Sequence, residues 1–299
     1  MAELRLLIPQ LEAALQSFKT SGSKFLVLTT INPTPYQPKT LYVLDSSFNP
    51  PTKAHLAIAS SALAESKSPH PRPFRLLVLF SIHNADKAPS PASFAERIAL
   101  MTSFANDVST ELYKSPKLKL AENDANVSID IGLTTEPYYT DKSIAIAETR
   151  PLFYAPLVNQ VHLVGFDTLV RFCDPKYYPK SSPPLSALAP YFDAGHSLRV
   201  TLRPHDEKDE SSKKYGSIEE QKKYVQELRD GKLEKEGFLK KWSDRIEITE
   251  GGASVGISST MARKAAQAGD WDAIRKLCPG GVSERLEEWE LYKEDSSDK

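Results

Sequence analysis

Apolar residues along this chain cluster in short runs at 41–44, 74–80, 127–133, 161–164, 197–203 and 246–249. Each run is too short for a buried helix and is bounded by polar or turn residues, so each predicts a buried strand. Between them the apolar spacing turns helical at 52–63, from residue 93 onward, at 141–149, at 168–173, and from 257–263 to a stop near Gly269. Strand, helix and strand in alternation, with helices long enough to cross over, predict an α/β fold on a parallel sheet. Upstream, residues 2–19 read as an amphipathic helix and 25–30 as an edge strand. A Pro-rich linker then runs to Lys39.

The organising stretch is 41–63, LYVLDSSFNPPTKAHLAIASSAL. A strand enters a tight turn, Asp45 to Asn49, and leaves through a helix whose N-terminal amides favour an anion. Thr52 and His55 are three apart on one helix face and lean back toward that turn. The chemistry implied is phosphate binding, with imidazole and hydroxyl as donors. Taken alone, the stretch also fits a capped junction with an ordinary histidine.

A second strand, loop and helix N-terminus follows near the end. Gly251-Gly252-Ala253-Ser254-Val255-Gly256 leads into Ile257-Ser258-Ser259-Thr260-Met261-Ala262-Arg263. Ser259 and Thr260 can offer amides and hydroxyls to phosphate oxygens, and the planar fork of Arg263 follows one turn later. Between the two motifs lie residues with two readings each. Lys87 is a phosphate ligand or a solvated loop lysine, His83 is equally open, and Arg97 falls on a helix surface or at the site. The pairs Tyr138/Tyr139 and Tyr177/Tyr178 could stack on a planar ring or simply pack. After the 161–164 strand, Gly165 allows close backbone approach, and Asp167 is either a ligand for hydroxyl or amide donors or a helix cap.

Composition narrows the class. A chain of 299 residues that is 40% hydrophobic can bury a substantial core, and a net charge of -1 gives no general pull toward nucleic acid or anionic membrane. Two distant cysteines, Cys173 and Cys278, lack metal-ligand spacing and fit a reducing compartment, cytoplasm or nucleus. The N-terminus has neither secretory nor organellar targeting character, and no stretch is long enough to span a bilayer. Residues 205–241 carry dense charge of both signs and read as an exposed helical insertion, with a helix start at 216–220.

FNPxTxxH after a strand, GxD after a central strand and a C-terminal ISSTxxR, in this order, resemble the adenylyltransferases acting on nicotinamide mononucleotide. The resemblance covers about residues 40–290. It implies a Rossmann-like nucleotidyltransferase fold over 41–292, preceded by an N-terminal extension (1–40) and followed by a disordered tail (293–299). It implies transfer of AMP from ATP, with Mg²⁺ carried on the ATP, to give a dinucleotide and pyrophosphate. Residue by residue, Ser46, Ser47, Phe48, Thr52 and His55 would lie at the ATP phosphates with Ser259, Thr260 and Arg263. Lys87 would stand nearby, and His55, Arg263 and Lys87 would be catalytic. Gly165 and Asp167, with Tyr138, Tyr139, Tyr177 and Tyr178 replacing the family's tryptophans, would hold the nicotinamide nucleotide. Ser46 stands where the family usually has glycine, and Thr52 where histidine is commoner. Alternatives are a transferase of the same fold with another phosphorylated acceptor, or a nucleotide-binding adaptor using 205–241 as its partner or oligomer surface.

Overall fold

The computed structural model describes residues 6–64, 69–82, 92–114, 127–156, 158–203, 216–251 and 256–293. Its centre is a seven-stranded sheet. The strands are β1 (Phe25–Ile31), β2 (Thr40–Asp45), β3 (Phe74–Ser81), β4 (Ser128–Thr134), β5 (Asn159–Gly165), β6 (Ser197–Leu202) and β7 (Ile246–Glu250). Their order is β1-β4-β3-β2-β5-β6-β7, with β1 antiparallel to β4 and every other pairing parallel. Without β1, this is the 3-2-1-4-5-6 order of the Rossmann fold.

The six apolar runs become the six parallel strands because a parallel sheet covered on both sides needs no polar face. In β2, Tyr42 and Leu44 face one core with Leu76, Val78, Ile129 and Ile131, while Leu41 and Val43 face the other with Leu77 and Leu79. Helices α1 (Ile8–Thr20), α2 (Lys53–Ala64) and α3 (Phe94–Lys114) pack on the first face. So do α8 (Ser259–Gln267), α9 (Trp271–Leu277) and α10 (Gly280–Glu288). On the second lie α4 (Tyr139–Glu148), α5 (Phe166–Phe172), α6 (Ala189–Asp193) and α7 (Ile218–Arg229). Among the described residues, no helix is long and apolar enough to cross a membrane.

Residues 25–31 form the edge strand that the sequence predicts, antiparallel to β4, and Leu15 and Phe18 of α1 are buried in the main core. From residue 216 onward the charged segment is helical as predicted but not wholly exposed. Ser217 caps α7 in a reciprocal capping box with Glu220, and Gln221, Val225 and Leu228 are buried at i, i+4 and i+7. Phe238 and Trp242 join them over Leu198, Val200 and Ile246. Dense charge on the outer face hid a narrow apolar stripe. Residues 204–215, and the tail from 294, lie outside the described residues.

Candidate active site

From β2 the chain winds toward β3 and β4, and from β5 it winds the other way toward β6 and β7. Connections therefore diverge above the C-terminal ends of β2 and β5, and such a switch point leaves a crevice for ligands. A cavity of about 710 Å³ opens there, and it is lined by residues from both predicted motifs, including Ser46, Ser47, Thr52, His55, Gly165, Asp167 and Ser259.

At the β2 end, His55 is fixed through both ring nitrogens. The backbone N–H of Thr52 donates to Nδ1 at 3.1 Å, so Nδ1 is an acceptor and the proton sits on Nε2. Nε2 then donates to the Ser46 hydroxyl at 3.0 Å. Enclosure by protein pushes the imidazole down to about 4, so it is neutral at physiological pH. His55 is thus a fixed hydrogen-bond donor, not a cation. Thr52 is buried at the cavity wall and its hydroxyl lies 2.9 Å from Nδ1, so it orients His55. Phe48 does not line the cavity. Its side chain is buried against His55 and Phe104, and its left-handed φ of 44° is the strained step that turns the chain from β2 into the loop. The Ser46 amide is also engaged, donating to the Leu79 carbonyl, which leaves its hydroxyl and Ser47 at the cavity.

The second motif closes on this same loop. Ser258 caps α8 by accepting from the Met261 N–H. The Ser259 hydroxyl donates to the Pro50 carbonyl at 2.8 Å, and Arg263 Nη1 donates to the Asn49 carbonyl at 2.7 Å. Arg263 Nη2 also donates to the exposed Thr260 hydroxyl at 3.1 Å. From beyond α10, the Tyr292 hydroxyl donates to Asn49 Oδ1 at 2.7 Å. Residues 214 positions apart are thereby latched, and both helix N-termini converge on one cavity. Arg97 resolves in favour of the site: it is buried, donates from Nε to the Ala92 carbonyl and lines the cavity. Burial lowers its pKa, the charge of Arg263 adding to that effect against an opposing contribution from Tyr292. Two guanidiniums close enough to repel are a setting for an anion. Lys87 and His83 lie outside the described residues.

At the β5 end the wall is aromatic. All four tyrosines line the cavity, but they differ in availability. Tyr138 is 43% exposed, its ring 6.2 Å from that of Tyr178, whose hydroxyl is tied to the Phe172 carbonyl. Tyr139 packs against His162 and Phe172, and the Tyr177 ring carries the Lys176 ammonium. Tyr138 and Tyr178 therefore offer the better stacking faces. Gly165, not Asp167, is the N-cap of α5; Asp167 sits in the first turn and pairs with Arg171 at 3.1 Å. A Cβ on Gly165 would meet Asp167 Oδ1 at 2.7 Å, so glycine here is what lets that carboxylate fold back over the strand end.

No family model matches the chain. A Schizosaccharomyces pombe protein bearing the provisional name nicotinamide mononucleotide adenylyltransferase is 33% identical over 267 residues, 89% of this chain and 90% of that one. The chain belongs to the nicotinamide mononucleotide adenylyltransferase family. It is also similar to the Plasmodium falciparum nicotinic acid mononucleotide adenylyltransferase solved with NaAD, at 15% identity and a TM-score of 0.46, covering 85% and 97% of the two chains. The same protein solved with APC gives the same identity and score over 86% and 98%.

For this family member, the resemblance of the motifs left out Asp45 and Lys142, which line the cavity and bridge β2 to α4. Lys142 stands three residues after Tyr139, hence on one helix face with it, but nothing local points to Asp45 as its partner. The Thr52 support of His55 is testable. Thr52→Val removes the hydroxyl while keeping the backbone donor, and kcat should fall about fivefold, the loss of roughly one hydrogen bond. ATP affinity, read by calorimetry, should change less than about twofold.

Proposed function

We propose that this chain transfers the adenylyl group of ATP to nicotinamide mononucleotide, giving NAD and pyrophosphate. The observation that carries the reading is the latch from Arg263 to Asn49 and from Ser259 to Pro50, which joins two phosphate-binding motifs in one cavity with a tyrosine wall. In this reading a 5′-phosphate oxygen of the mononucleotide attacks the α-phosphorus of ATP in line. A new O–P bond forms, the bond to the β-phosphate bridging oxygen breaks, and pyrophosphate leaves. The acceptor phosphate is already ionised near neutral pH, so no general base is needed. Catalysis then rests on placement and on charge stabilisation.

His55 would supply a neutral, pre-oriented N–H, directly or through the Ser46 hydroxyl to which it donates. Arg97 and Arg263 would supply positive charge, with Ser47 and the start of α8 completing the cradle. Lys87 would add to this charge. A divalent cation would arrive on the substrate, since the cavity carboxylates Asp45 and Asp167 are paired with Lys142 and Arg171. Mg²⁺ held by phosphate oxygens and water would offset charge on the departing pyrophosphate.

The deciding experiment incubates the chain with ATP, Mg²⁺ and nicotinamide mononucleotide and resolves products by chromatography, with Arg263→Ala alongside. NAD and pyrophosphate from the native chain alone support the reading. ATP binding without dinucleotide would move it to another phosphorylated acceptor or to the adaptor role. His55→Ala should lower kcat about a hundredfold with KM for ATP within about threefold, because a donor aimed at developing charge acts mainly in the transition state. Unchanged turnover would remove His55 from the mechanism.

A further inference from the structure

The wall between the phosphate end and the tyrosine end of the cavity is an ion pair. Asp45 is the last residue of β2, directly before Ser46 and Ser47, and its carboxylate accepts from the Lys142 ammonium of α4. The two side chains are 10% and 5% exposed, and what exposure they have is toward the cavity they line. The same ammonium lies 5.1 Å from the centroid of the Tyr139 ring. So the pair borders the aromatic end, where a pyridine ring would lie in the reading above, on which this inference rests.

A buried ion pair is a poor device for stability, since its desolvation cost offsets most of its attraction and an apolar pair would dock α4 equally well. As part of a binding wall it has a chemical meaning. It sets one fixed donor beside one fixed acceptor. A ring carboxamide matches both, its carbonyl accepting from Lys142 and its NH₂ donating to Asp45. A ring carboxylate offers acceptors only and would meet the Asp45 oxygens with like charge. The other carboxylate of this end, Asp167, is likewise neutralised, by Arg171. At the other end the Arg97 guanidinium lines the cavity, while Arg263, outside that lining, is tied to the Asn49 carbonyl.

We propose that the Asp45–Lys142 pair determines acceptor specificity, selecting the uncharged carboxamide of nicotinamide mononucleotide over the carboxylate of nicotinate mononucleotide. The test is the ratio of kcat/KM for the two acceptors within single preparations of the full chain, a ratio that does not depend on the folded fraction. The native chain should favour the amide. Asp45→Asn leaves an unopposed ammonium and should shift the ratio toward the carboxylate by about tenfold or more. Lys142→Met leaves an unopposed carboxylate and should shift it the other way. The double variant, with no charge to bury uncompensated, should fall between the singles and guards against their failure to fold. Ratios that stay within about twofold of native in all variants, or a native chain that prefers the carboxylate, would overturn the assignment. A native chain that makes neither dinucleotide would overturn the underlying reading itself, an outcome visible before any variant is made.

Discussion

Arg263→Ala is expected to lower kcat/KM for dinucleotide formation by about a thousandfold, the size seen when one pre-organised donor to developing charge is lost. Two effects combine. In the proposed reading the guanidinium would be a charge toward the phosphates, and it contributes, after burial, to lowering the pKa of Arg97. It is also a latch, donating to the Asn49 carbonyl and the Thr260 hydroxyl, so its loss frees the loop that places Ser46, Ser47 and His55. Arg263→Lys separates the two. It returns the charge without the fork, and it should recover about tenfold at most because a lysine cannot serve both acceptors in one plane. Initial rates of pyrophosphate release check the activity, and a thermal melt checks the latch. Loss of the hydrogen bonds to the Asn49 carbonyl and the Thr260 hydroxyl should cost about 1–3 kcal/mol. If the rate falls only in proportion to the unfolded fraction, Arg263 is a latch and not a phosphate ligand.

What could be read from the chain follows from how local each signal is. Six parallel strands stood out because burial on both faces makes a strand an unbroken apolar run, as in LYVL and RLLVLF. His55 could be placed because the strand, turn and helix that aim it are contiguous. Its partners could not. The inward turn of Phe48 depends on a positive φ, and the contact of the Thr52 hydroxyl with the His55 ring depends on how that turn folds. Asp45 and Lys142 are 97 residues apart, and no periodicity reports a contact of that kind. The helix start at 216–220 is local and legible, but the burial of the helix it opens is not. Charge dominates its composition, while the three buried positions on α7 that decide its packing are few. Composition reports the exposed face of a helix more loudly than the buried one.

Acid should destabilise this protein through its buried histidines. His55 and His196 are pushed down to about 4 by burial, with Arg245 adding to the effect at His196. His162 is pushed well below its ordinary value by burial, then by the neighbouring charges of His196 and Lys142. The sign is the same for all three. Their unfolded pKa, about 6.5, lies above the folded one, so between the two values the unfolded chain binds more protons. The stability they permit is complete above about pH 6.5 and is lost as pH falls toward 4. At pH 5 each of His55 and His196 has cost about 2 kcal/mol, and His162 adds to it, so the histidines together contribute a loss of about 4 kcal/mol from pH 7. Burial raises the pKa of Asp107 and Asp130, which works in the opposite direction. It does so as pH falls through their folded values, and it offsets part of the histidine loss. Guanidinium midpoints at pH 7.5, 6 and 5 should therefore fall steeply, and His196→Gln should flatten that slope. A midpoint independent of pH over this range would mean that these rings are hydrated or charged in the native state. That would also remove the case for His55 as a neutral donor, because the enclosure that keeps it uncharged is the same one that makes the fold acid-sensitive.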